Sequence, residues 1–219
     1  MKILVSWSSG KDAAWMLHVL QTRYPGAAQR LLTTTNEVFD RVAMHGVRRD
    51  VLEAQARATG LPLQVVPLPW PCSNEEYERR MSAAVAAALA DGFTHVAFGD
   101  LFLEDVRRYR EERLAGTGLT PMFPLWDIPT TALSQEMLSG GLQAYVSTVD
   151  PRAVDPALAG RPYDAALLQE LPLWADPCGE RGEFHTCVTA GPMFARPIEV
   201  VVGETVVRDG FVYADIRLA

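Results

Sequence analysis

The sequence predicts an α/β protein: a doubly wound, mostly parallel sheet followed by a smaller mixed C-terminal lobe. Three observations carry this. Short apolar runs alternate with helix-length segments through the first 150 residues. The first run passes directly into a Ser/Gly turn that opens a helix. Beyond residue 150 prolines crowd the chain, and the pattern changes to strand-turn-strand. Strands separated by helices of roughly 10–15 residues form βαβ units on a parallel sheet. Their right-handed crossovers set a ligand site outside the carboxyl ends of the strands.

In order, Ile3–Val5 reads as a buried strand, Ala13–Leu20 as a helix and Leu31–Thr35 as a second strand. Val47–Ala58 has apolar residues at helical spacing and stops at Gly60; Leu63–Val66 is a third strand. Asn74–Leu89 is an Ala-rich helix ending near Gly92, and His95–Phe98 a fourth strand. Glu104–Ala115 is a charged helix, Met122–Leu125 a fifth strand, Thr130–Leu138 a helix and Ala144–Val149 a sixth strand of the same sheet. The lobe carries strands at Ile198–Val202, Thr205–Val207 and Phe211–Ile216, with hairpin turns at Gly203-Glu204 and Asp209-Gly210. The division is thus 1–150 and 151–219.

A chain of 219 residues, 48% hydrophobic and 21% charged, buries a sizeable core without a disulfide or metal staple. Its net charge of −7 speaks mildly against nucleic acid as a partner, because phosphate binding rests on clustered Lys and Arg. Every basic residue except Lys2 and Lys11 is arginine. Three cysteines form no disulfide framework, and Cys178, His185 and Cys187 match no usual zinc spacing. The N-terminus lacks a signal-peptide pattern, and no stretch approaches the ~20 apolar residues of a bilayer span. A reduced cytoplasm is expected, with no membrane partner.

The sharpest signal is Ser6-Trp7-Ser8-Ser9-Gly10-Lys11-Asp12-Ala13, between a strand and a helix. A helix N-terminus presents free N–H groups and a positive dipole end to an anion. Small residues let a phosphate approach the backbone, three hydroxyls can donate, and Lys11 adds charge. Neither a Walker A loop nor a dinucleotide fingerprint fits, because the required glycines are absent. An ordinary βα turn with a capping Asp is the alternative.

Other segments have a similar double reading. Asp100, after the fourth strand, is placed to hold Mg²⁺ or to cap the next helix. Asp12 has the same two options, or a ribose contact. Arg107 and Arg110 share a helix face, suited to an anion or to i,i+4 ion pairs. His45 and Arg48 suit an acidic substrate, or a buried His and a surface Arg. Glu180-Arg181-Gly182-Glu183-Phe184-His185-Thr186 is a Gly-punctuated loop that could orient an amine and take its proton, or a polar turn entering a strand.

The first loop resembles the pyrophosphatase loop, Ser-Gly-Gly-x-Asp-Ser, of the adenine nucleotide α-hydrolase superfamily, with departures at Ser9 and Ala13. Arg41–Arg48, Gly99-Asp100-Leu101, Phe123–Trp126, Gly160-Arg161 and above all Asp176–Thr186 are most similar to the diphthine–ammonia ligase family. The resemblance spans roughly residues 2 to 200. It implies a Rossmann-like fold of HUP type, and a ligase that uses ATP and Mg²⁺ to adenylate a carboxylate, release pyrophosphate and amidate the product with ammonia. ATP would lie over Ser6, Ser8, Ser9, Gly10, Lys11 and Asp12, with Thr33 and Gly99 at neighbouring strand ends. Lys11, Asp100 and Glu183 would carry the chemistry, Asp100 through Mg²⁺. His45, Arg48, Glu104, Arg107, Glu180, Gly182, His185 and Thr186 would meet the acceptor. Two further readings are sulfur transfer to tRNA, which needs a persulfide-bearing cysteine, and a non-catalytic ATP or AMP sensor. The apolar C-terminal strands suit a homodimer.

Overall fold

Two sheets organise the chain in the computed structural model, which describes Met1–Ala219. In the first, β1 (Ile3–Ser6), β2 (Ala28–Asn36), β4 (Leu63–Leu68), β5 (His95–Ala97) and β6 (Thr120–Met122) are parallel. They lie side by side as β4-β2-β1-β5-β6. The two-residue β3 (Arg41–Val42) pairs antiparallel with the far end of β2. The chain works outward from β1 in one direction, then returns to work outward through β5 and β6. The order therefore reverses at β1, and the ends of β1 and β5 flank the switch point. The α/β class and the parallel sheet agree with the sequence.

The connecting helices are α1 (Lys11–Arg23), α2 (Arg49–Thr59), α3 (Asn74–Ala90), α4 (Glu104–Leu114) and α5 (Thr130–Ser139). Ser73 Oγ accepts the Glu76 N–H at 3.2 Å and starts α3, while left-handed Gly60 (φ 72°) ends α2. α1 differs: its N-cap is Gly10, which has no side chain to offer.

The second sheet is antiparallel: β7 (Gln143–Val149), β8 (Phe184–Ala190), β9 (Val200–Arg208) and β10 (Phe211–Leu218), in the order β8-β7-β10-β9. A 3₁₀ turn at Pro156–Leu158 and the short α6 (Ala165–Glu170) fill the span between β7 and β8. Two expectations change here. The 144–149 strand belongs to this sheet, not to the parallel one. Its partners are β8 and β10, and an apolar run by itself says nothing about partners. Gly203-Glu204 is no turn, because β9 runs through it and pairs with β10 across a register shift at Ala214/Ile216. The Asp209-Gly210 turn holds, with both residues at positive φ (50° and 82°) as a primed hairpin requires.

One core cluster of 40 buried residues takes side chains from both sheets, among them Val5, Leu17 and Leu52 with Val146, Cys187 and Val188. The seam between the sheets is therefore packed, and loops that cross it are held firmly. No helix is long and apolar enough to cross a membrane.

Candidate active site

The β1–α1 loop is built from both sheets. Trp7 is buried and donates from its indole N–H to Gln55 Oε1 at 3.1 Å. Gln55, itself fully buried, donates to the carbonyls of Ser9 (3.1 Å) and Val188 (2.8 Å). The Val188 N–H donates to the same Ser9 carbonyl at 3.0 Å. The sequence reading passed over Gln55, since a lone Gln on a helix carries no motif.

The missing N-cap of α1 comes from far along the chain. Thr186 Oγ1 accepts the Lys11 N–H at 3.0 Å. The N–H groups of Asp12 and Ala13, in the same first turn, have no backbone acceptor. Gly99 lies against them: a Cβ there would stand 3.0 Å from the Asp12 carbonyl carbon and 3.1 Å from the Ala13 nitrogen. A Cβ on Gly10 would stand 2.5 Å from His45 Cε1. Both glycines are close-approach positions.

Ser9, where the resembled loop has glycine, has φ +70° and is buried, and its Oγ has no partner. Thr33 Oγ1 is likewise orphaned near the end of β2. Buried hydroxyls are rarely left unpaired; Ser147 on β7 is a third, and only Ser9 lies on the loop itself. Ser6 and Ser8 are partly exposed on the loop, and Ser8 Oγ accepts the Gly10 N–H at 3.4 Å. Ser9→Gly removes a left-handed L-residue and an orphan hydroxyl. It is expected to stabilise the protein by about 1 kcal/mol, measured as a higher urea midpoint. A lower midpoint would mean that the Ser9 hydroxyl is satisfied.

Lys11 does not point outward. Its side chain is 2% exposed, and its ammonium donates to Asp12 Oδ1 and Oδ2 (2.9 and 2.8 Å) and to the Cys178 carbonyl. The rings of Tyr163 and Phe184 lie 5.5 and 5.9 Å from it. Burial opposes its charge, but the Asp12 carboxylate outweighs that, and its pKa lies above the ordinary lysine value.

The 176–186 segment folds over this pair. Glu183 is buried and spends both oxygens on its own loop, accepting the N–H groups of Asp176 (2.8 Å) and Arg181 (3.0 Å). It braces the turn around Gly182, so the carboxylate with freedom to act is not the one the sequence favoured. Glu180 takes that position. Its Oε1 accepts the Leu101 N–H at 2.8 Å, joining the β5 loop to the second sheet's segment. Burial raises its pKa to about 7, and the charges of Asp12 and Asp100 add to the lift. Gly179, at φ 68° with a virtual Cβ 2.6 Å from the Phe184 carbonyl oxygen, fixes the turn that aims Glu180.

Asp100 is claimed by Arg110, whose Nε and Nη2 reach its two oxygens at 2.5 and 3.1 Å. The structure gathers no group of three or more His, Cys, Asp or Glu side chains suited to a metal. Arg107 pairs with Glu111 (2.8 Å) and stacks on Phe123 and Trp126 at 4.9 and 4.8 Å, while Glu104 is exposed at the start of α4. Neither reaches the loop through any contact. Arg48 is also committed: with Arg41 it grips Asp215 at 2.7–2.9 Å. This clamp holds the Asp215 carboxyl well below the usual range and ties β10 to the start of α2.

His45 does reach the site. Its Nδ1 donates to the Thr186 carbonyl at 3.0 Å, because a carbonyl can only accept. His185 packs beside it, with ring centroids 4.6 Å apart. Burial lowers His45 to about 4 and His185 to about 3, with Lys11 pressing both the same way. Both imidazoles are therefore neutral at pH 7.

Loop 6–12, Gly99, His45 and the 178–186 segment thus meet at the carboxyl ends of β1 and β5. Two known proteins or families resemble the chain. A family model described as the diphthamide synthase C-terminal domain matches residues 130–218. A diphthine–ammonia ligase from Bos taurus is 25% identical over 240 residues, covering 99% of this chain and 89% of that protein.

Proposed function

We propose that this diphthine–ammonia ligase-like chain is an ATP-dependent ligase that adenylates a substrate carboxylate and passes the acyl group to ammonia. One observation carries the proposal. Glu180, bonded to Leu101, closes a second-sheet segment over a helix N-terminus whose Asp12 and Ala13 N–H groups have no backbone acceptor and whose loop carries the unpartnered Ser9 hydroxyl. Such a site fits a nucleotide's phosphates, through backbone donors and a positive dipole end. The similarity to a ligase over nearly the whole chain supports the reaction class.

In this reading Ser6, Ser8, Ser9 and the first turn of α1 bind phosphate oxygens, and Gly10 and Gly99 keep the approach open. Lys11 neutralises Asp12 and holds Cys178 under the loop, so it acts as a positioning residue. Glu180, near neutral in pKa, accepts a proton from the attacking amine. Glu183 keeps Glu180 in register. Mg²⁺ would accompany the phosphates and not sit in a protein cage, as is usual for that ion. Asp100 is not assigned to it, since Arg110 occupies both oxygens.

Sulfur transfer draws no support from Cys178 or Cys187. Burial pushes both thiols up to about 12, so neither readily forms the thiolate that persulfide chemistry needs.

The protein, supplied with ATP, Mg²⁺, ¹⁵N-ammonium and a panel of carboxylates, is expected to release AMP and pyrophosphate and to yield a ¹⁵N-amide. ADP and phosphate in their place, or ATP returned intact with every acceptor, would refute the ligase.

A further inference from the structure

A cavity of about 250 Å³ opens between the β2–β3 hairpin and the face of β9 and β10. None of its walls is needed for the nucleotide chemistry. Phe39, Trp70, Phe211 and Tyr213 supply them, with the Phe39 and Trp70 rings 6.4 Å apart. Its inner end reaches His185, which stacks on His45, and His45 in turn covers Gly10 of the loop. Met44, Trp70 and Val206 are exposed members of its lining, an apolar rim on a chain of net charge −7.

Four charged side chains line the cavity. Arg41 and Asp215 line it, but Asp215 is shared with Arg48 outside the lining. Arg208 also lines it, lying 4.0 Å over the Phe39 ring, and enters no ion pair. Asp209 is the other carboxylate in the lining. The lining thus carries two cations, Arg41 and Arg208, and two carboxylates, Asp209 and Asp215, and of the two cations only Arg208 stands outside an ion pair.

We propose that this cavity is the acceptor pocket, and that it takes a planar aromatic or heteroaromatic carboxylate of metabolite size. Aromatic walls favour a flat ring by stacking. The Arg208 guanidinium, outside any ion pair, favours an anion over a neutral analogue. The neutral His45–His185 pair separates the pocket from the loop without adding charge, leaving Arg208 as the selective cation. This assignment rests on the ligase reading for the name acceptor, but the pocket's chemistry can be tested without ATP.

The probes are 2-naphthoate, its neutral partner 2-naphthamide, and a linear aliphatic carboxylate, decanoate. Each is titrated calorimetrically into wild type, Trp70→Ala and Arg208→Gln, with and without a non-cleavable α,β-methylene ATP analogue. Trp70 is half exposed and Arg208 makes no ion pair, so both variants should fold, which circular dichroism checks. Naphthoate is expected to bind wild type more tightly than naphthamide or decanoate. It should weaken about fivefold in Trp70→Ala and about tenfold in Arg208→Gln. Naphthamide should be indifferent to the Arg208 change. Absent naphthoate binding, binding equal in both variants, or a concentration-dependent dimer that buries Trp70 would each overturn the pocket. Naphthoate binding without any nucleotide binding would keep the pocket and refute the ligase; the reverse pattern would do the opposite.

Discussion

Lys11→Ala is expected to destabilise the protein by about 3–5 kcal/mol, the cost of leaving one member of a buried ion pair without its partner. Three losses coincide. The Asp12 carboxyl, whose pKa burial already raises, loses the cation that opposes that shift, the Cys178 carbonyl loses its donor, and the aliphatic stem leaves a void between Tyr163 and Phe184. Equilibrium urea denaturation followed by circular dichroism measures this. The double variant Lys11→Met with Asp12→Asn should recover much of the loss, because it removes both charges and refills the volume. A single variant within 1 kcal/mol of wild type would instead mean that the ammonium swings out toward solvent. Loss of nucleotide binding in Lys11→Ala therefore cannot be taken as a lost phosphate contact until stability has been measured on the same sample.

Glu180→Gln is expected to lower kcat by about 10²–10⁴ with the fold intact, because a glutamine oxygen can still accept the Leu101 N–H. The pH dependence has a definite sign. Burial raises the carboxyl from its ordinary value to about 7, so the proton-accepting form grows as pH rises through 7. With free ammonia held saturating at each pH, wild-type rate should climb between pH 6 and 8, and the variant should be flat there. Stability runs the other way: an acid whose pKa is raised by folding contributes less as pH rises from about 4.5 to about 7. Wild type should thus lose stability over that interval while the variant does not. A variant that keeps the wild-type slope in both measurements would remove Glu180 from the reaction.

The sequence made the first half of the fold legible because its signals are local. Ile3–Val5 is an apolar run cut off by serine, and α2 carries its own stop at Gly60. The β1–α1 loop was legible as a strand-to-helix turn for the same reason, since its residues are contiguous. What escaped was long-range. That β7 joins the second sheet depends on β8 and β10, strands 35 or more residues away. Arg48 looked like a substrate ligand, but its partner Asp215 lies 167 positions later. Glu183 and Glu180 differ by three positions and look alike in sequence. They separate only when one folds back onto Asp176 and the other reaches Leu101. The pairing of Asp100 with Arg110 escaped in the same way, because nothing local marks it.

The cap on α1 has a consequence for how the molecule comes into being. Thr186 closes the Lys11 N–H from 175 residues downstream, and Cys178 and Val188 bind the same few residues. During synthesis, α1 and its loop leave the ribosome long before any of these partners exists. The early chain can pair its parallel strands, but its anion loop stays unfinished and its lysine unburied. The loop is thus completed late and all at once, when β8 docks. If it binds ATP as proposed, a nascent or truncated chain would not sequester the nucleotide.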